Sequence, residues 1–274
     1  MIALLPVIGI LYYIYSLDKN PEPRKLVLKL FFTGAFGSVF LTLLLSEIAK
    51  VAMGESFTLF SEAKNGINLV VYYFIIVALV EEFSKWIVIF LVSYKHKEFD
   101  EMYDAIVYAT FVSLGFAGLE NILYVFGAAG DGLGSAVSLA VMRAFLSIPG
   151  HASFGVAMGY FIGKAKKAEL NKTGLSSIML ILSLVVPTVL HGIFDSCLST
   201  NKQVFMIVYY IFVIVVNVSI VFILLHVSSK NEQLPVEKKP ELNQEPINIS
   251  KCPACGSPEV GMRYCINCGN KLRE

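Results

Sequence analysis

The chain has 274 residues, 56% of them hydrophobic and 16% charged, with a formal net charge of +1. A soluble domain usually carries about a quarter of its residues as charges; that shortfall and a mean hydropathy of +0.68 exclude an ordinary water-soluble domain. The near-zero net charge offers no basic footprint for nucleic acid.

The remaining charges sit between long apolar runs, as they do in loops between membrane helices. A span needs about 20 apolar residues, and the runs predict spans at 2–17, 28–49, 66–94, 103–127, 134–163, 175–198 and 203–227. The expected fold is therefore an all-α polytopic membrane protein of about seven helices. The first run is short, but it lacks a basic leader and a small-residue cleavage site before Asp18, so it reads as a retained helix and not a removed signal. The third and fifth runs are long and polar inside, which predicts tilted or broken helices.

Basic residues set the orientation. Lys19, Arg24 and Lys25 follow the first span, Lys95 and Lys97 the third, Lys164, Lys166, Lys167 and Lys172 the fifth, and Lys230, Lys238 and Lys239 the last. The intervening loops carry Lys50 and Lys64, no basic residue in 128–133, and Lys202. The basic-rich loops are placed in the cytosol, so this multi-pass cell-membrane protein has its N-terminus outside and its C-terminus inside. Residues 228–250 are polar, with Pro235, Pro240 and Pro246, and read as a flexible linker between a membrane domain, 1–227, and a tail, 251–274.

Ionisable groups inside a span are costly and mark function by default. Glu81, Glu82 and Lys85 interrupt the third span, and Glu120 and Asn121 lie in the fourth. Arg143 and His151 lie in the fifth, His191 and Asp195 in the sixth. Glu81 precedes Lys85 by four residues, the favourable order for a helical ion pair, and Glu82 can compete for the same ammonium. The two glutamates differ by about 100° around the axis, so one is expected to be held by a partner while the other faces a cavity. His191 and Asp195, four apart, share a face. Counted along the helices, these groups can meet near the midplane or in the outer half. Lone Cys197 reads as a packing residue.

A glutamate in a partly dry cavity suits general acid or base work, and nearby histidines can steady an oxyanion or position a water. Other intramembrane protease chemistries fit poorly. The sequence has no His-Glu-x-x-His and no Gly-x-Ser-x-Gly. Tyr103-Asp104 lacks a Gly-x-Gly-Asp partner, because residues 128–131 read Ala-Ala-Gly-Asp. Two other readings stand beside a peptidase: a silent membrane scaffold or immunity-type protein, and an ion- or proton-coupled transporter. No inverted repeat of helices supports the last.

Together the motifs resemble one family. Glu81-Glu82-Phe83-Ser84-Lys85 is similar to the Glu-Glu-x-x-Lys motif of PrsW-type membrane proteases, and Phe116-Ala-Gly-Leu-Glu120-Asn121 resembles their second motif. His151 and His191-Gly-Ile-Phe-Asp195 resemble the last two, and the stretch from Glu98 to Ala109 also has the family's look. The resemblance implies a glutamate-dependent intramembrane endopeptidase, related to the CAAX prenyl proteases and bacteriocin-immunity proteins. Lys85, Glu120 and Asp195 replace residues of those relatives and argue against a prenylated substrate. The implied site is Glu81, Glu82, Lys85, Glu120, His151, His191 and Asp195, acting on a membrane-anchored protein without a catalytic metal. Either Glu82 or Glu81 takes a proton from water, the other is tethered by Lys85, His191 steadies the oxyanion, and Asp195 orients it.

The tail carries Cys252-Pro-Ala-Cys255-Gly and Cys265-Ile-Asn-Cys268-Gly. Four thiolates in two knuckles match a closed, structural zinc ribbon, with glycines at the turns. A cytosolic protein partner is its expected use.

Overall fold

A computed structural model describes residues 4–63, 66–200, 203–230, 232–235, 250–252, 254–259 and 267–268. Helices dominate, as expected. The first expected span is α1, Leu5–Ser16, a 12-residue apolar helix shorter than a full span. The second is α2, Arg24–Met53, and a short α3, Glu55–Ser61, not anticipated from the sequence, follows it. The third expected span is a continuous helical run, α4 (66–92), whose middle, Tyr72–Ala78, is a π-helix. Then come α5, Met102–Ala128, α6, Leu133–Phe145, α7, Ser147–Leu170, α8, Ser176–Leu198, and α9, Gln203–Lys230. Among the described residues, five helical stretches are long and apolar enough to cross a membrane: α2, α5, the combined α6–α7, α8 and α9. The fifth expected span is broken, at Leu146, where α6 meets α7.

The central element is α5. It is apolar on every side and buried almost continuously from Met102 to Gly118, as a helix surrounded by others must be. Its start is fixed by a capping box, in which Glu101 and Asp104 each accept the other's backbone N–H. Around it pack α7, α2, α1 and α4. The approach of α2 is close enough to require glycine. A Cβ on Gly34 would lie 2.2 Å from the Val112 carbonyl oxygen, and one on Gly115 would lie 2.1 Å from that of Phe31. Neighbouring helices hold α8 despite Pro187 inside it; Ser183 of α8 accepts the indole N–H of Trp86 at 2.9 Å. Cys197 packs with Phe154, Phe194 and Tyr209, the role expected for it.

The basic-rich loops gather at one end of the bundle. Lys19 donates to the Ser229 carbonyl at 2.9 Å, Tyr94 to Glu169 at 2.7 Å, and Lys167 pairs with Glu232. The membrane unit does not stop at 227. α9 runs to Lys230, and 232–235 forms a strap on the start of α5, with Met102 N–H donating to Glu232 O at 2.9 Å and Leu234 N–H to Asp100 O. The compact unit ends at Pro235; most of the expected linker, 236–249, lies outside the described residues.

The tail is a second unit. Its described part is a two-residue antiparallel pairing of β1, Ser250–Lys251, with β2, Pro258–Glu259. Gly256 takes φ +72° in a turn that its N–H closes on the Cys252 carbonyl at 2.8 Å.

Candidate active site

The charged residues of the spans, scattered over four helices, converge. The π-helix at Tyr72–Ala78 feeds directly into the stretch that carries Glu81, Glu82 and Lys85. The widened turn is a common feature of functional helices. Here it also sets Tyr72, Tyr73 and Val77 along the cavity wall. Gly192 permits α8 to press on that segment, since a Cβ there would meet the Phe74 ring at 2.6 Å.

One charge network runs through the site. Lys85, fully buried, lies 2.7 Å from Glu82 Oε1, 3.6 Å from Glu81 Oε2 and 3.3 Å from His151 Nδ1. Its ammonium also sits 4.2 Å over the Phe116 ring, a cation–π contact. His191 presents Nδ1 to Glu82 Oε1 at 2.8 Å and Nε2 to Asp195 Oδ2 at 3.3 Å. Glu120 is held on the other side: Arg143 Nη2 donates to its Oε2 at 2.7 Å, and His151 Nε2 lies 3.1 Å from the same oxygen. Arg143 Nε donates to Asn121 at 2.9 Å. Phe154 stacks on His191, with centroids 4.9 Å apart.

The two glutamates have different environments, and here the preferred ion pair differs from the one spacing favoured. The i, i+4 spacing favours Glu81 for Lys85, yet Glu82 makes the closer contact. Glu82 is wholly buried and turned into the helices; Glu81 lines a cavity of about 330 Å³. Glu120, Arg143, His151, His191 and Asp195 line it too. Glu81 Oε2 has no hydrogen-bond partner among the described residues. All seven site residues expected from the sequence thus meet at one place. Arg143, noted in the sequence only as a polar residue of its span, joins them by holding Glu120 and Asn121.

In the tail, Cys252, Cys255 and Cys268 each offer a sulfur within 4.8 Å of the others, and Cys252 Sγ is 3.7 Å from Cys268 Sγ. Cys265, the fourth expected ligand, lies outside the described residues.

Comparison with known proteins bears on this geometry. Residues 22–223 match the family model described as "PrsW family intramembrane metalloprotease". Protease PrsW of Oceanobacillus iheyensis is 37% identical over 70% of this chain and 79% of its own length. That of Geobacillus kaustophilus is 38% identical over 72% and 78%, and that of Bacillus subtilis 37% identical over 72% and 81%. No solved structure matches. These matches favour the peptidase over the scaffold and transporter readings, although the metal in the family's description was not expected from the sequence. The chain belongs to the PrsW family of intramembrane proteases and is a multi-pass membrane endopeptidase.

Proposed function

We propose that the chain cleaves membrane-anchored proteins with a water activated by Glu81. The observation that carries this is the division between the glutamates: Glu82 is wholly buried and enclosed by Lys85 and His191, while Glu81 lines the cavity. A water held by Glu81 gives up a proton to the carboxylate as its oxygen attacks the carbonyl carbon of the scissile peptide. His191 Nε2, 3.9 Å from Glu81 Oε2, faces the oxygen on which negative charge develops. When the tetrahedral intermediate collapses, the C–N bond breaks and Glu81 returns the proton to the leaving amine. Asp195 and Glu82 fix His191 from its two nitrogens. Arg143 and Glu120 hold His151 against Lys85, which anchors Glu82.

The family's description names a metal, and the donor set deserves a chemical test. Glu81, Glu82, His151 and His191 each offer an atom within 4.8 Å of the others, and carboxylate and imidazole are ordinary zinc ligands. The ammonium of Lys85 contacts three of the four, Glu82, Glu81 and His151. An ion bonded at about 2.0–2.2 Å to Glu82 Oε1 and His151 Nδ1 would lie against that ammonium, because Lys85 already contacts both atoms. Lys85 thus competes with a cation for Glu82 Oε1 and His151 Nδ1, which supports the glutamate-only chemistry. In the tail, by contrast, the clustered thiols support a structural zinc on Cys252, Cys255, Cys265 and Cys268, with a cytosolic protein partner docking on the ribbon.

The test is cleavage of single-span reporter proteins by the reconstituted full chain, its four tail cysteines changed to serine. Activity should persist in chelator. Loss in chelator with recovery on adding zinc would show that the centre uses a metal. For orientation, a cysteine placed in 130–133 should react with an impermeant thiol reagent applied outside, and one in 164–172 should not; the opposite pattern reverses the membrane orientation.

A further inference from the structure

The stretch from Glu98 to Ala109 has no part in the hydrolytic centre, yet it builds a second buried cluster at the basic-loop end of the bundle. Asp18, in the turn between α1 and α2, meets Glu101 and Asp104 at the start of α5, with one carboxylate oxygen from each within 4.8 Å of the others. They are 6%, 1% and 1% exposed, and Glu22, at 4%, brings a fourth carboxylate against Asp104 and Tyr108.

Some of these oxygens are satisfied. Asp104 Oδ2 accepts the backbone N–H of Asp100 at 3.0 Å and of Glu101 at 2.7 Å. Asp18 Oδ1 accepts that of Asn20 at 3.0 Å, and Glu101 Oε1 accepts from the side-chain amides of Asn20 and Gln233. Helix capping thus accounts for Glu101 and Asp104. It does not account for the rest. Asp18 Oδ2, Glu22 Oε2 and Glu101 Oε2 are buried without a hydrogen-bond partner. Among the described residues no Lys, Arg or His pairs with any of the four carboxylates. A buried carboxylate without a counter-charge is strongly unfavourable.

We propose that Asp18, Glu22, Glu101 and Asp104 bind one hard divalent cation of the magnesium or calcium class. The donors are all oxygens, the set such cations prefer over the softer transition metals. The cation clamps the α1–α2 turn to the start of α5. Gln233, bonded to Glu101, brings in the strap that leads toward the tail. The clamp therefore joins that strap to the helix bearing Glu120, and it is separate from the hydrolytic centre and from the tail thiols.

Manganese(II) is the probe. The full chain, freed of metal, is titrated in detergent while the spin resonance of free Mn²⁺ is followed. About one Mn²⁺ per chain should bind, also when the four tail cysteines are serine and also in Glu81→Gln, and Mg²⁺ or Ca²⁺ should displace it. Asp18→Asn with Glu22→Gln should weaken binding by at least about tenfold. No uptake by the native chain, wild-type affinity in the double variant, or loss of the ion in Glu81→Gln would each overturn the site. Should the double variant not fold, nitroxide labels on the tail-serine chain decide. Bound Mn²⁺ should broaden a label at Lys97→Cys and not one at Asp131→Cys, beyond the far end of α5. Equal broadening at both, or none at Lys97→Cys, is the contrary result.

Discussion

The molecule buries two clusters of carboxylates, and they are solved in opposite ways. In the candidate active site, Glu81, Glu82, Glu120 and Asp195 are interleaved with Lys85, Arg143 and two histidines. At the basic-loop end, Asp18, Glu22, Glu101 and Asp104 have amides and backbone N–H groups but, among the described residues, no cation of their own. The first cluster carries its counter-charge in the chain and sets Glu81 along a cavity. The second leaves several oxygens unsatisfied and so needs protons or an ion. Carboxylates withdrawn from water therefore serve two ends according to whether a cationic side chain sits beside them.

The sharpest way to break this comparison is to remove the carboxylate proposed to activate water. Glu81→Gln should lower reporter cleavage by about 10²- to 10⁴-fold with its melting temperature near that of the native chain. Retained activity in Glu81→Gln, with loss in a folded Glu82→Gln, would exchange the roles of the two glutamates. A smaller effect sets the clusters directly against each other. Lys85→Met strands Glu82 in the interior and should destabilise the protein by about 3–5 kcal/mol, measured by denaturant or thermal unfolding. Glu22→Gln removes a charge that has no counter-ion, so in cation-free buffer it should leave stability unchanged or raised. If both variants destabilise alike, the second cluster is already neutralised and the contrast fails.

The smallest effect expected is a slope with pH. The folded value of Glu22, about 7, lies above its ordinary 4.5, so between these limits the native state holds more protons than the unfolded chain. Stability conferred by this group is then fully present below about 4.5 and is lost as pH rises through 7. Tyr108, Asp104, Asp18 and Glu98 face it. Melting temperature in chelator should fall from pH 5 to pH 8, flatten in Glu22→Gln, and flatten again when Mg²⁺ or Ca²⁺ is added to the native chain. A slope indifferent to both additions would place the titrating group elsewhere.

The sequence by itself determined the class of protein and named the members of the candidate site. Apolar runs of membrane length, bounded by lysines, specify helices because a backbone in lipid must satisfy its own hydrogen bonds. Charges inside such runs are too costly to be incidental, so Glu81, Glu82, Lys85, Glu120, His151, His191 and Asp195 were legible as a set before any coordinates. The helical period even required the adjacent glutamates to face differently. Which of them meets Lys85 more closely depended on tertiary neighbours, since His191 of α8 holds Glu82 Oε1 beside the ammonium. Only the tertiary structure could place Arg143 on Glu120, because that contact joins helices whose relative rotation is set by packing. The acidic cluster was hidden for the same reason. Asp18 and Glu22 read as ordinary loop charges until folding brings them to the start of α5, where burial removes the water that would have solvated them.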